Sequence, residues 1–275
     1  MITHPEKVLF PDDGITKGEV AAYYDEVASV MLPHLRRRPI TMERFPGGIG
    51  QQGFIQKDVS KGFPAWLKRV ETPKKGGVVN YPLAGDQRSL QWLANQNAVT
   101  LHVWTSRTPR LEHPDLCVLD LDPSRDDPAT LVETMRTLKS VIDDLGRDSW
   151  VKTSGSKGFH VVLPVPARAT FETSAGLADR IASLLVERLP GEVTQAFAKA
   201  DRHGRIYIDT ARNRPGATFA AAYTLRARPG APVSAPCTWD EVLDGGVHPQ
   251  SFTLRTMRAR IQAVGDLWQP LGKSR

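Results

Sequence analysis

The sequence predicts an α+β fold built on a β-α-β-β-α-β sheet of the ferredoxin-like kind, joined to an N-terminal α/β portion. Three observations carry that expectation. The apolar run Leu116-Cys117-Val118-Leu119-Asp120-Leu121-Asp122 is bounded by Pro123 and reads as a strand. Two amphipathic segments follow at helical spacing, one after Asp127-Pro128 and one at about Ser174–Leu189. Between and after them lie three strand-like runs, Trp150–Thr153, Phe159–Val165 and Arg205–Asp209.

The N-terminal portion opens with Thr16-Lys17-Gly18-Glu19, the signature of a capping box. The helix it starts carries Val20, Tyr23, Tyr24, Val27 and Met31 on one side and is expected to stop before Pro33. Residues 36–110 alternate short apolar runs with Gly and Pro, so RPITMERF, QGFIQKDV, GGVVNYPL and AVTLHVW read as strands and loops, with a helix near Ser89–Gln96. In the first helix after residue 116, Asp127 is the N-cap and Pro128 the first helical residue. Leu131, Val132, Met135, Leu138, Val141, Ile142 and Leu145 follow at helical spacing, and Gly146 ends the run. In the second, Leu177, Ile181, Leu184 and Leu185 face inward. Right-handed crossovers then place the first strand between the fourth and the third. The chain is taken as one domain over 1–275, with an N-terminal α/β portion at 1–110 and a catalytic portion at 111–275.

Composition narrows the function classes. The 275 residues hold 36 basic and 30 acidic side chains, a net charge of +6, which suits a polyanion partner without requiring one. The only cysteines, Cys117 and Cys237, cannot form a four-ligand zinc site, and their scarcity points to a reduced, cytosolic protein. The first ten residues, MITHPEKVLF, lack the apolar stretch of a signal peptide, and no run has the length of a membrane span.

Asp120 and Asp122 are two apart on a strand, so both carboxylates share a face opposite Leu119 and Leu121. Two such carboxylates repel unless a cation lies between them, and hard oxygen donors suit Mg²⁺ or Mn²⁺. The plainer reading is a strand end whose aspartates cap the next turn. Asp209 closes a second apolar strand, expected beside the first. Three carboxylates on adjacent strand ends are the usual equipment of two-metal phosphoryl chemistry. Asp209 alone could equally be a turn residue before Thr210.

Ser154-Gly155-Ser156-Lys157-Gly158 joins two strands, and its glycines would let backbone N–H groups form an anion nest with Lys157 adding charge. A plain hairpin with a solvated lysine would fit the same residues. His160 alternates with Phe159 and Val161 and is expected on the face of the aspartates.

Together, Val118-Leu119-Asp120-Leu121-Asp122-Pro123, Thr153-Ser154-Gly155-Ser156-Lys157-Gly158-Phe159-His160 and Ile208-Asp209 resemble the three motifs of the archaeo-eukaryotic primase superfamily. More narrowly, the chain resembles the polymerase domain of bacterial ATP-dependent DNA ligase D, used in non-homologous end joining. The likeness runs from Lys7-Val8-Leu9-Phe10-Pro11 to Gly265-Asp266-Leu267.

This resemblance implies a primase-like palm with a ferredoxin/RRM-like sheet. It also implies a nucleotidyltransferase that adds NTPs or dNTPs, ribonucleotides by preference, to a primer 3′ end. Asp120, Asp122 and Asp209 would bind two divalent cations, Mn²⁺ or Mg²⁺, which would activate the 3′-hydroxyl and hold the triphosphate. Ser154, Lys157, His102 and Arg226 would hold the nucleotide, joined by His160.

On the DNA side, Lys7 and Lys17 match lysines that grip a downstream 5′-phosphate, although both could simply be solvated. Arg202 matches a loop residue tied to bringing DNA ends together, or is a mobile surface charge. Phe54, with Lys57 close by, falls where an aromatic stacks on template bases, and a place in the core would also explain it. The usual second aromatic is Ile55 here. Glu43 stands where a phosphate-contacting lysine is expected, with Arg44 beside it either compensating as a nucleotide contact or pointing elsewhere. These departures point to a paralogue with altered substrate handling, of a kind that can stand free of a ligase.

The implied partners are gapped, overhanging or broken DNA with a 5′-phosphate, nucleoside triphosphates, Ku and an ATP-dependent ligase, and no membrane. The rivals are a de novo primase, a non-catalytic DNA-end binding module and a two-metal nuclease. A triphosphate-binding loop has no use in the last of these.

Overall fold

The structure, a computed structural model, describes residues 1–59, 62–269 and 271. The chain divides into two compact units. The first holds Met1–Pro109 and the later segments Thr218–Ser234 and Phe252–Asp266. The second holds Arg110–Ala217, Ala235–Ser251 and the C-terminal stretch from Leu267.

In the first unit the Thr16 capping box forms as expected. Thr16 Oγ1 accepts from the Glu19 N–H, and Glu19 Oε2 accepts from the Thr16 N–H at 2.8 Å. The helix does not run to Pro33. It ends at Glu26, Val27 caps it at φ −87° and ψ 0°, and a second helix spans Ala28–Leu35 with Pro33 inside. Pro33 and Ser29 are both exposed, so water can reach the Ser29 carbonyl that the proline leaves unpaired.

A four-stranded antiparallel sheet follows in the order Thr218–Ala220, Ala98–Trp104, Ile40–Arg44, Phe54–Gln56. The run GGVVNYPL also forms a strand, Gly77–Pro82, which pairs with an unforeseen one at Arg69–Lys74. The helix expected at Ser89–Gln96 spans Gln87–Asn95, capped by Asp86.

The second unit carries the predicted sheet. Its order is Val193–Thr194, Ile206–Asp209, Leu116–Asp122, Phe159–Pro164, Trp150–Thr153, Pro236–Cys237. The first strand of the β-α-β-β-α-β unit thus lies between the fourth and the third, as the crossover rule requires. Two short edge strands extend it. One of them holds Pro236, whose missing N–H is tolerated at an edge.

The Pro128–Asp144 helix starts on Asp127, whose side chain accepts from the Thr130 N–H. The second helix spans Phe171–Arg188 and begins three residues before the expected Ser174. Its capping box uses Thr170 and Thr173, so the Glu or Gln that usually marks such a start is missing from the sequence. Ser174, Ala178, Ile181, Ala182 and Leu185 are buried along it, while Leu177 and Leu184 are only half-buried. Small residues let this helix lie close to the sheet. Cys117 Sγ approaches the Ser174 carbonyl at 3.5 Å, so the side chains of Cys117, Leu119 and Leu121 face this helix. Asp120 and Asp122 therefore point to the opposite face.

Candidate active site

On that opposite face the strand register sets four chemically active side chains in one row. Asp120 pairs with Asp209 on one side and His160 on the other, and His160 pairs in turn with Lys152. Directly opposed residues on neighbouring strands have Cβ atoms about 5 Å apart. His160 Nε2 lies 3.2 Å from Asp120 Oδ1, and Lys152 Nζ lies 2.7 Å from His160 Nδ1. A lysine ammonium only donates, so Nδ1 accepts and the imidazole proton resides on Nε2, facing Asp120.

Lys152 is fully buried and was not singled out in the sequence. The signal was there: folding the hairpin about Ser154–Gly158 brings residue 152 opposite residue 160. Lys152→Met should release this constraint. We expect ¹⁵N NMR of the His160 ring to show the Nε2–H form in the parent chain and mixed tautomers in the variant.

Arginines surround the carboxylates. Arg212 Nε lies 3.4 Å from Asp120 Oδ2, and its Nη2 lies 3.2 Å from Asp209 Oδ2. Asp209 Oδ1 also accepts the Ala211 N–H at 2.8 Å. Burial alone would raise the Asp120 carboxyl. His160, and after it Arg212 and Lys152, outweigh burial and hold it well below the usual carboxylate range.

Arg202 is no mobile surface charge. It is buried, with its guanidinium 4.0 Å from the Tyr207 ring centre, 3.2 Å from Asp122 Oδ2, and bonded to the Ala196 and Phe197 carbonyls. A DNA contact by Arg202 would have to break into these bonds.

The Ser154–Gly158 loop differs from the expected nest. Ser154 Oγ accepts the N–H groups of Ser156 and Gly158, which spends two donors inside the loop. Lys157 is exposed and projects from it. Gly158 lies so close to the DxD strand that a Cβ there would meet the Leu121 carbonyl oxygen at 1.9 Å. This contact falls between Asp120 and Asp122 and ties the loop to the carboxylates.

Among the described residues, no three His, Cys, Asp or Glu side chains close into a ready metal cage. The donors are nevertheless of the right kind. Three carboxylates stand on adjacent, register-paired strands, and side-chain rotation would let them share hard cations.

In the first unit, Glu43 Oε2 lies 3.9 Å from His102 Nε2. His102 is the main cause that keeps the Glu43 carboxyl low, against burial and with help from Thr100 and Arg226. The two departures, Glu43 and Ile55, prove to be direct cross-strand partners. Of the two readings for Arg44, the structure favours the one that points it elsewhere, because adjacent strand residues alternate faces. It pairs with Phe54 instead, 5.2 Å from that ring's centre, and bonds the Gln96 carbonyl.

Phe54 and Lys57 are exposed, so Phe54 is not part of the core. Lys17 is buried and donates to the Thr3 carbonyl and hydroxyl. Its pKa is depressed by burial first and then by the nearby charges of Lys7 and Arg44. Arg44 thus belongs with the lysine pair and Phe54, not with His102.

The family model described as "LigD, primase-polymerase domain" matches residues 16–268. This chain belongs to the LigD primase-polymerase domain family. It is 34% identical over 273 residues to the multifunctional non-homologous end joining protein LigD of Mycolicibacterium smegmatis, covering 98% of this chain and 36% of that protein. It is 31% identical over 265 residues to the bifunctional non-homologous end joining protein LigD of Bacillus subtilis, covering 96% and 42%. The chain therefore spans well under half the length of these LigD relatives.

Among solved structures, it is similar to the polymerase domain of Mycobacterium tuberculosis ligase D in complex with DNA. The TM-score is 0.93 at 33% identity, covering 99% of this chain and 98% of that one. The α+β, primase-like architecture is thereby that of LigD polymerase domains. Among the described residues, no helix is long and apolar enough to cross a membrane.

Proposed function

We propose that this chain adds nucleotides, ribonucleotides by preference, to a primer 3′ end at gaps or broken ends of DNA that carry a 5′-phosphate. Two divalent cations, Mn²⁺ or Mg²⁺, would be held by Asp120, Asp122 and Asp209. The observation that carries this reading is the row Lys152–His160–Asp120–Asp209, which keeps a half-buried carboxylate ionised at the centre of a triad. When bound, such ions supply Lewis-acid activation of the attacking hydroxyl and neutralise charge on the phosphates.

The chain's own residues orient and select. His160 fixes the rotamer of Asp120, and Ser154 shapes the loop that presents Lys157 to a phosphate. His102 and Arg226 would contact the nucleotide. Lys7, Lys17 and Arg44 form a basic group suited to a terminal phosphate, and the exposed ring of Phe54 offers a stacking surface for a template base. The names of the LigD relatives support an end-joining setting. In that setting Ku and an ATP-dependent ligase would be its partners, in the bacterial cytosol.

The test is extension of a primer across a gapped, 5′-phosphorylated duplex with Mn²⁺ and either NTPs or dNTPs. Incorporation that favours NTPs is expected. Products made from NTPs on single-stranded template without a primer, at rates matching gap filling, would indicate a de novo primase. Tight gap binding without any incorporation would indicate an end-binding module. For the phosphate site, Lys7→Ala should weaken binding of 5′-phosphorylated gaps about tenfold and leave 5′-hydroxyl gaps unaffected, as read by fluorescence anisotropy.

A further inference from the structure

Every carboxylate of the triad is paired with a guanidinium, but the two arginines are held very differently. Arg202 is locked by two backbone carbonyls, Asp122 and the face of Tyr207, with its side chain 8% exposed. Arg212 has a side chain that is 40% exposed, on the short turn Ala211–Asn213. It spans Asp120 and Asp209, yet its Nε is buried and makes no hydrogen bond among the described residues. A well-seated guanidinium fork meets carboxylate oxygens at about 2.7–2.9 Å with aligned N–H groups. Separations of 3.4 and 3.2 Å with one donor unused mean that Arg212 is held by charge more than by fit.

Resting on the metal-binding reading above, we propose that Arg212 is an exchangeable internal cation. It occupies the ground between Asp120 and Asp209, offsets their repulsion, and must swing aside before a divalent ion can take both oxygens. Arg202 stays in place throughout as a fixed counter-charge for Asp122. This exchange accounts for a triad of suitable donors that does not close into a cage. It also makes metal affinity a property tuned by one side chain that need not touch the metal.

The experiment is a Mn²⁺ titration of the whole chain, without nucleotide or DNA, read from the electron paramagnetic resonance signal of free Mn²⁺. Arg212→Gln should bind Mn²⁺ about tenfold more tightly than the parent, because a competing positive charge is gone. Arg212→Lys, which keeps the charge but cannot span both oxygens, should fall between them. In EDTA the Arg212→Gln chain should melt at a lower temperature than the parent, and Mn²⁺ should close that gap.

Binding by both Arg212 variants that is no tighter than the parent's would overturn the exchange. Failure of the metal reading itself has a separate signature: parent binding that Asp120→Asn leaves unchanged.

Discussion

Replacing Asp120 with asparagine is expected to cut nucleotide incorporation on a gapped, 5′-phosphorylated duplex by about a thousandfold. The substitution keeps size and shape and removes only the charge. That charge sits at the centre of the row, with Asp209 on one flank and His160 on the other. An amide is a far poorer ligand for a hard cation than a carboxylate. It also leaves His160, which is buried, and Arg212 facing a neutral group. Stripping one partner from a buried, paired charge costs about 3 kcal/mol, so the variant should melt at a lower temperature as well.

The pH dependence of that stability difference follows from the depressed Asp120 pKa. A carboxylate with a lowered folded-state pKa contributes its stability in full above its unfolded pKa, and loses it as pH falls through the folded value. The gap between parent and Asp120→Asn in urea melts should therefore be widest near neutrality. It should shrink as pH drops through and below the ordinary carboxylate range. A variant with parental incorporation would remove Asp120 from the chemistry.

Gly158→Ala should be the most damaging change outside the charged residues. A Cβ at this position would lie 1.9 Å from the Leu121 carbonyl oxygen and 2.9 Å from both the Leu121 carbon and Pro123 Cδ. None of these is the end of a flexible side chain. The backbone between Asp120 and Asp122 would have to move, or the loop would have to lift off it. Overpacking of this kind costs about 3 kcal/mol, and here it would also displace two of the three carboxylates.

Gly146→Ala is the matching control. Gly146 has φ of +62° but nothing within 4 Å of where a Cβ would stand, so only backbone strain of about 1 kcal/mol is expected. Urea melts and single-nucleotide incorporation should rank the two variants clearly. Equal stability and activity for both would mean that the loop does not depend on its contact with the DxD strand.

Much of this arrangement was legible in the sequence because it depends on local periodicity. The alternation of Leu119, Asp120, Leu121 and Asp122 placed two carboxylates on one face, and the crossover rule brought Asp209 and His160 beside them. What escaped depended on geometry between elements or on chemistry with weak local signatures. Lys152 lies in an apolar strand, and its burial is eased by the hydrogen bond it donates to His160 Nδ1.

The Thr170–Thr173 cap has no Glu or Gln to announce it, so the second helix began earlier than its apolar spacing indicated. Ser154, expected at the nucleotide, also serves as the hydrogen-bonding centre of its own loop, which its spacing did not announce. For Arg44 the sequence left two readings open, and strand alternation decides for the one that turns it away from Glu43, toward Phe54. That residue adjacency is not side-chain adjacency is the main reason the surroundings of Arg44 and Ser154 were harder to read than the carboxylate row.

Divalent-metal-dependent nucleotidyl transfer at a DNA end couples each addition to metal and to release of pyrophosphate. The most direct measurement follows incorporation of a single nucleotide on a gapped, 5′-phosphorylated duplex while Mn²⁺ is titrated into metal-free protein, with released pyrophosphate measured in the same samples. One pyrophosphate released per nucleotide added, rising with Mn²⁺ and absent in EDTA, is the predicted result. Undiminished incorporation in EDTA, or shortened DNA strands with no pyrophosphate, would contradict it.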